Sequence, residues 1–227
     1  MNIREFVRNI IQNQISEQNN WFHGTPDSRE VEKQGGFQHR TLTVDYVKDI
    51  EGLNQLQQKM KDARTQGDED LYFELLDQVP SFKETYSYPK PIFLTNEYLV
   101  AKTYADPKRA FDYQNAEEKV YKIDVDCSNI VQINAFGDRF RFINPEKVKK
   151  GFYNAGVPEK EIEELIQMFN YYIQDNKGIQ TDVIAAIGNW LNFDCIDVVG
   201  VLDSYEGGSI KSTVRMILDP TKVNIKK

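Results

Sequence analysis

The sequence predicts an α+β fold, in which strands near the two ends of the chain enclose long helical regions. Apolar and polar residues alternate in KVYKIDVDC at 119–127, which is the period of a half-buried strand. Apolar residues over 3–17 recur every three or four positions instead, which is the period of an amphipathic helix. The order of these segments differs from the regular strand–helix alternation of a doubly wound sheet.

Periodicity and turn residues divide the rest of the chain into further elements. In order, we expect a helix over 3–17, a strand WFHGT at 21–25, a polar turn region at 27–40, a helical region over about 44–80, a strand in SYPKPIFLT at 87–95, a helix in NEYLVAKTYA at 96–105, a strand at 119–127, a second helical region at 145–191, and strands in FDCIDVVGVLD and STVRMILD. Pro89 and Pro91 exclude a helix around them. Asn96 is suited to cap the helix that follows.

The bulk properties indicate one globular domain over 1–227, because no linker or repeat is visible. A net charge of −7 argues against a protein that binds nucleic acid mainly through its phosphates. No apolar stretch is long enough to span a bilayer and the first residues lack a signal-peptide pattern, so we expect a cytoplasmic protein without a membrane partner. Cys127 and Cys195 lie far apart in apolar runs, and we expect both to be buried free thiols.

The first candidate group is Trp21-Phe22-His23-Gly24-Thr25. His23, at the end of a predicted strand, could donate a hydrogen bond to a ribose hydroxyl. Gly24 could pair through its backbone with a planar carboxamide, since glycine allows a ligand to approach closely. The Thr25 hydroxyl could add a third contact. Taken alone, such a motif is more often an exposed histidine in a turn.

The second candidate group joins Ile92-Phe93-Leu94-Thr95 to the helix that contains Tyr104. A strand followed directly by a helix would bring Phe93 and Tyr104 near each other. Two aromatic rings can enclose a pyridinium, because their π-faces attract a cationic ring. Taken alone, the pair is more often two aromatic residues of the core.

With the last two strands, these segments resemble the ADP-ribosyltransferases of the His-Tyr-Glu class, which includes the poly-ADP-ribose polymerases and short bacterial and phage proteins. In that family a first strand carries H-G-[ST], as in His23-Gly24-Thr25, and in phage-type members a helix ends VAKSYA, as in VAKTYA at 100–105. A late strand pair ends in D-P before a short basic tail, as in FDCIDVVGVLD and VRMILDP followed by TKVNIKK. The resemblance covers three short pieces in the family's order and implies a split β-sheet core with helical insertions.

The resemblance assigns a role to each matching residue. His23 would hold the ribose beside the nicotinamide, and Gly24 would pair with the carboxamide, assisted by Thr25. Phe93 and Tyr104 would take the positions of the two stacking tyrosines, although Phe93 lacks the hydroxyl.

Two further positions bear on catalysis and binding. Thr95 follows Phe93 closely and belongs to the same cofactor-binding set. The catalytic Glu of the family opens the last strand, where this chain has Val214. A valine cannot accept a hydrogen bond from ribose, so Glu206 in the preceding loop is the expected substitute, beside His23 and Tyr104 as catalytic residues. Loop acids are more often only solvated.

The function that this resemblance implies is NAD-dependent mono-ADP-ribosyl transfer to a macromolecule, with NAD as substrate and no metal. The acidic charge favours a protein over a nucleic acid as acceptor. Family members of this size include toxins and effectors of phage–bacteria conflict. A phage-encoded member would act in the host cytoplasm, and a toxin would have an antitoxin or inhibitor as a partner.

Three alternatives stay open. Val214 and Phe93 fit an inactive member of the same fold that acts as a binding or inhibitory protein. A plain NAD glycohydrolase would differ only in passing ADP-ribose to water. An unrelated interaction protein would not bring His23, Phe93 and Tyr104 into one cleft.

Overall fold

The computed structural model describes residues 20–33, 37, 40–109, 116–171, 178–205 and 208–225. The helix predicted over 3–17 and the expected catalytic Glu206 lie outside these residues. Within them the chain is a mixed α+β structure, which confirms the predicted class. In chain order the helices and strands are β1 (Trp21–Thr25), α1 (Ser28–Lys33), β2 (Thr41–Val47), α2 (Ile50–Gln66), α3 (Glu69–Leu76), β3 (Lys83–Pro89), β4 (Ile92–Thr95), α4 (Tyr98–Tyr104), β5 (Lys119–Val125), β6 (Ile130–Asn134), β7 (Phe142–Ile143), α5 (Pro145–Asn154), α6 (Glu159–Asn170), β8 (Ile179–Gln180), α7 (Thr181–Trp190), β9 (Cys195–Tyr205), β10 (Gly208–Ile217) and β11 (Val223–Ile225).

Seven of these strands form one sheet in the order β11-β5-β1-β4-β10-β9-β6. All neighbours in the sheet are antiparallel except β6 and β9, which are parallel. The strands predicted from WFHGT, IFLT, KVYKIDVDC and the two late segments are all present. Strands β6 and β11 were not predicted, although buried Val131 and Ile133 of β6 alternate with exposed polar residues.

The sheet separates two hydrophobic cores. On one side, here called the major-core face, Val198, Val214 and Met216 pack in a large core that includes residues of α5, α6 and α7. On the other side, the minor-core face, Trp21 and Ile217 belong to a smaller core. The helices of the major core fulfil the prediction of a helical region at 145–191, which the short strand β8 interrupts.

The predicted helical region over 44–80 is wrong at its start. Residues 41–47 form β2, which pairs with β3 along its whole length in a separate two-stranded sheet. Leu42, Val44 and Tyr46 alternate with polar residues and pack against the major core, so the strand period at 41–47 outweighs the helical spacing that begins after it. Helix α2 follows and is capped by Asp49, whose carboxylate accepts a hydrogen bond from the backbone N–H of Gly52.

The two cysteines are paired, which corrects the prediction of free thiols. Cys127, just after β5, and Cys195, at the start of β9, form a disulfide with Cα atoms 6.1 Å apart. The surrounding segments are also tied together, because the Asp194 carboxylate accepts hydrogen bonds from Ser128 and Asn129.

Over the part of the chain that the structure describes, no helix has the length and apolar character needed to cross a membrane.

Candidate functional site

The large sheet is split between β1 and β4. Every residue of β1 pairs with β5 and every residue of β4 pairs with β10, but β1 and β4 share only the pair Phe22–Thr95. The same register continued along both strands would place Gly24 opposite Phe93, where no ladder pair forms. Strand edges that separate in this way can accept a planar polar group between them, much as they would accept another strand.

A cavity of about 250 Å³ opens at this split. Helix α4 covers it on the major-core side, and β10 closes it at Val214. The lining residues are Phe22, His23, Gly24, Phe93, Leu94, Thr95, Val100, Ala101, Tyr104, Phe140 and Val214. None of these side chains carries a formal charge, apart from the histidine when it is protonated.

His23 is held in one orientation by its neighbour across the split. Its Nδ1 lies 2.9 Å from the backbone oxygen of Phe93, and a carbonyl oxygen can only accept, so Nδ1 carries the proton. The Phe37 ring packs edge-on against the imidazole, with centroids 4.5 Å apart. Burial lowers the pKa of His23, and the bond to Phe93 opposes this only in part. The ring is therefore neutral near pH 7 and presents Nε2 as an acceptor, which reverses the donor role expected from the sequence.

Gly24 is required by the packing of α4. A Cβ atom at this position would lie 1.7 Å from the carbonyl oxygen and 2.7 Å from the carbonyl carbon of Ala101. On the side where a Cβ atom would lie, the backbone of α4 therefore approaches Gly24 closely, in the place where the sequence predicts a ligand. Because Ala101 and Val100 line the cavity, this contact also sets the position of one of its walls.

Aromatic rings also line the cavity. Phe93 and Tyr104 both line it, as the sequence predicted. Tyr104, in the last turn of α4, keeps 45% of its surface exposed. Phe140 adds a third ring, edge-on to Phe93 with centroids 5.5 Å apart. No sequence signal pointed to Phe140, because it lies in an irregular segment between β6 and β7.

The two predicted threonines differ in position. Thr95 is buried and lines the cavity, and its hydroxyl accepts a hydrogen bond from the backbone N–H of Glu97. Thr25 does not line the cavity; its hydroxyl donates instead to the backbone oxygen of Asp27. The structure therefore gives Thr25 a role in the turn after β1 and no place at the predicted binding site.

Asn96 also differs from its predicted role as a helix cap. Glu97 occupies the capping position of α4 but makes no capping hydrogen bond to the helix with its side chain. The Asn96 side-chain oxygen instead accepts a hydrogen bond from the backbone N–H of Thr213, and the backbone N–H of Asn96 donates to the backbone oxygen of Thr213. These two bonds attach the start of α4 to β10, beside the cavity.

Val214 lies where the resemblance places a catalytic carboxylate. It pairs with Thr95 on β4 and with Val198 on β9, and only 5% of its surface is exposed. The cavity wall at this point is therefore apolar.

Comparisons with protein-family models, with curated proteins and with solved structures found no match for this chain.

Proposed function

We propose that this protein is an NAD-dependent mono-ADP-ribosyltransferase whose cavity at the sheet split takes the nicotinamide end of NAD. One observation carries the proposal. His23, Phe93 and Tyr104 come from three separate segments of the chain, and all three line the same cavity. An unrelated protein with chance sequence matches has no reason to bring them together.

The dimensions and lining of the cavity suit one planar ring. At about 250 Å³ it is slightly smaller than the ~300–1,000 Å³ of sites that enclose a whole drug-sized ligand. The nicotinamide ring would enter, while the remainder of the dinucleotide would lie outside. The rings of Phe93 and Tyr104 offer π-faces to a cationic pyridinium, and the separated edges of β1 and β4 offer backbone groups to its carboxamide.

The state of His23 suits the same ligand. A protonated imidazole would repel the positive pyridinium in a cavity of low polarity. The lowered pKa keeps the ring neutral, and Nε2 can accept a hydrogen bond from a ribose hydroxyl. The bond from Nδ1 to Phe93 fixes the direction of that lone pair before the ligand arrives.

In the proposed reaction, the bond between ribose C1′ and the nicotinamide nitrogen breaks, and its electron pair stays with nicotinamide, which leaves as a neutral molecule. An O–H or N–H group of the acceptor bonds to C1′ and loses its proton. The protein mainly holds the ring and ribose in the geometry that favours this cleavage.

A second candidate is a protein that binds NAD without turning it over. Val214 favours it, because the described cavity lining contains no carboxylate. An NAD glycohydrolase, which passes ADP-ribose to water, would share every contact of the transferase.

Incubation with NAD labelled in its ADP-ribose part and a cell lysate distinguishes these functions. Label in the protein or nucleic-acid fraction supports the transferase and identifies the acceptor. Loss of NAD without labelled macromolecule indicates a glycohydrolase, and binding without loss indicates a binding protein. Failure to bind NAD at all would overturn the proposal.

Two variants connect any activity to the cavity. His23→Asn keeps a donor for the Phe93 carbonyl but removes the Nε2 acceptor, so NAD affinity should fall about tenfold, the value of one hydrogen bond of ~1.4 kcal/mol. Tyr104→Ala should weaken NAD binding by a similar factor through loss of the ring. Tyr153, exposed on α5 outside the cavity lining, provides the matched control, since Tyr153→Ala should leave binding unchanged.

A further inference from the structure

We propose that Asp203, held by Ser212, is the carboxylate that serves the cavity in place of one at position 214. This inference rests on the proposed function. It replaces Glu206, the substitute expected from the sequence, with a residue on β9, the strand next to the one that closes the cavity.

A bulge in β9 turns Asp203 toward the cavity side of the sheet. The register between β9 and β10 shifts between Ser212 and Thr213, so that Ser212 pairs with Val201 and Thr213 with Val199. Gly200 is the extra residue, with a φ of +76° that suits glycine. Without this insertion, strand alternation would direct Val201 and Asp203 to the minor-core face.

Packing confirms that the bulge reverses the alternation. Val198 before the bulge and Val201 after it both belong to the major core, although they are three residues apart. Asp203, two residues beyond Val201, therefore points to the same face. Val214 and Thr95 line the cavity from that face, so Asp203 and the cavity share one side of the sheet.

The carboxyl group of Asp203 is buried at a cost to the protein. Only 5% of Asp203 and 2% of Ser212 is exposed. The Ser212 hydroxyl donates a hydrogen bond to Asp203 Oδ2, and among the described residues no cation pairs with this carboxylate. Burial accordingly raises the pKa of Asp203, opposed in part by Ser212. A buried carboxyl without a cationic partner next to a cavity is typical of functional sites.

The pair lies on the two strands β9 and β10 near the cavity, although neither side chain belongs to the cavity lining. Ser212 precedes Val214 by two residues on the same face of β10, a separation of about 7 Å along a strand. The two hydrogen bonds between Asn96 and the backbone of Thr213 bring the start of α4 to this point, and α4 also packs against β9. Asp203 thus lies on the strand next to β10, which closes the cavity, and this strand also contacts the helix that covers the cavity.

Asp203 would take up the proton of the transfer step. As the acceptor O–H or N–H bonds to ribose C1′ and nicotinamide leaves with the electron pair of the broken bond, the acceptor's proton passes to the Asp203 carboxylate and then to solvent. General-base assistance of this kind contributes about 100-fold or more to a rate.

The decisive variant is Asp203→Asn, which keeps an oxygen acceptor for Ser212 and removes the charge. We expect turnover of NAD to fall about 100-fold, with the dissociation constant for NAD unchanged and the melting temperature equal to or above that of the wild type. A merely structural carboxyl would give the reverse pattern, with lower stability and unchanged turnover. Asp126, exposed just after β5, gives the matched control, since Asp126→Asn makes the same change of charge away from the cavity.

A second variant covers the case in which the first does not fold. In Asp203→Ala, formate can occupy the space of the missing carboxyl, and we expect added formate to restore part of the lost turnover, whereas chloride at equal concentration restores none. Turnover at the wild-type level in Asp203→Asn, or no effect of formate in Asp203→Ala, would overturn the role of Asp203. A wild-type protein that neither binds nor consumes NAD would overturn the proposed function itself, and with it this inference.

Discussion

The substitution Gly24→Ala tests whether the packing of α4 sets the shape of the cavity. The new methyl group would lie 1.7 Å from the backbone oxygen of Ala101, half of the 3.4 Å at which ordinary contacts begin. Backbone atoms cannot rotate away as a flexible side chain can, so the helix as a whole would have to move by more than an ångström.

The cost follows from the size of this displacement. Overpacking that forces backbone shifts costs about 1–3 kcal/mol or more, and ~1 kcal/mol lowers the melting temperature of a chain this long by ~2–4 °C. We expect a decrease of several degrees. NAD affinity should fall about tenfold or more, since the displaced helix carries Val100 and Tyr104, two of the residues that line the cavity.

Thermal unfolding followed by circular dichroism gives the stability, and titration calorimetry gives the affinity at a temperature where the variant is folded. The matched control is Gly67→Ala at the end of α2, where φ is +75° and no atom lies within 4 Å of the added Cβ. That substitution costs about 1 kcal/mol through backbone strain alone, and NAD affinity should not change. An unaltered melting temperature in Gly24→Ala would refute the close contact, and a lower one with normal affinity would refute its link to the cavity.

Three other predictions concern charge and covalent structure. Burial lowers the pKa of His23 below 6.5, its value in the unfolded chain, so the neutral imidazole favours folding and NAD binding above pH 6.5. Stability and NAD affinity should both decrease as the pH falls through the lowered pKa. Calorimetry of His23→Asn should show no such decrease in affinity. Arg215→Met should lower the free energy of unfolding by about 3–5 kcal/mol in urea denaturation, because it leaves the Asp197 carboxylate, 14% exposed, without its cation; equal stability would show that the pair is neutral. Reduction of the Cys127–Cys195 disulfide, which joins residues 68 positions apart, should cost ~2–4 kcal/mol, and the unreduced protein should be lighter by two hydrogens in mass spectrometry.

The sequence was informative wherever a local pattern determined the structure. Alternation identified β5, and helical spacing identified α4 and the helices of the major core. The alternation in TLTVDYV was also visible, but its strand β2 is stabilised by β3, about 40 residues further on. The alternation is visible locally, but the partner that stabilises the strand is not, so the sequence alone extends the helical pattern after residue 49 back over β2.

At the site, too, local sequence patterns identified some residues, and others meet the cavity only through the arrangement of the whole fold. Short motifs identified His23, Phe93 and Tyr104, but Phe140 reaches the cavity through an irregular segment without a pattern of its own. Asp203 had a signal that could have been used, since a glycine inside an apolar strand, as at Gly200, often marks a bulge that redirects the side chains after it. The disulfide was missed because Cys127 and its partner meet only through the arrangement of the whole sheet.

The minor-core face explains how a sheet can remain intact where its ladder is interrupted. Arg215 alternates with Val214 along β10 and therefore points away from the cavity. Its guanidinium makes a bidentate pair with Asp197 on β9, with both N–O distances 2.6 Å, and lies 4.2 Å from the centre of the Trp21 ring on β1. The contact with Trp21 connects β10 to β1 past β4, across the split, and a cation over an indole contributes about 0.5–2 kcal/mol. The face of β10 that carries Val214 thus closes the cavity, and the face that carries Arg215 connects β10 to β1. For this reason a change at Arg215 should alter ligand binding as well as stability, although its side chain does not line the cavity.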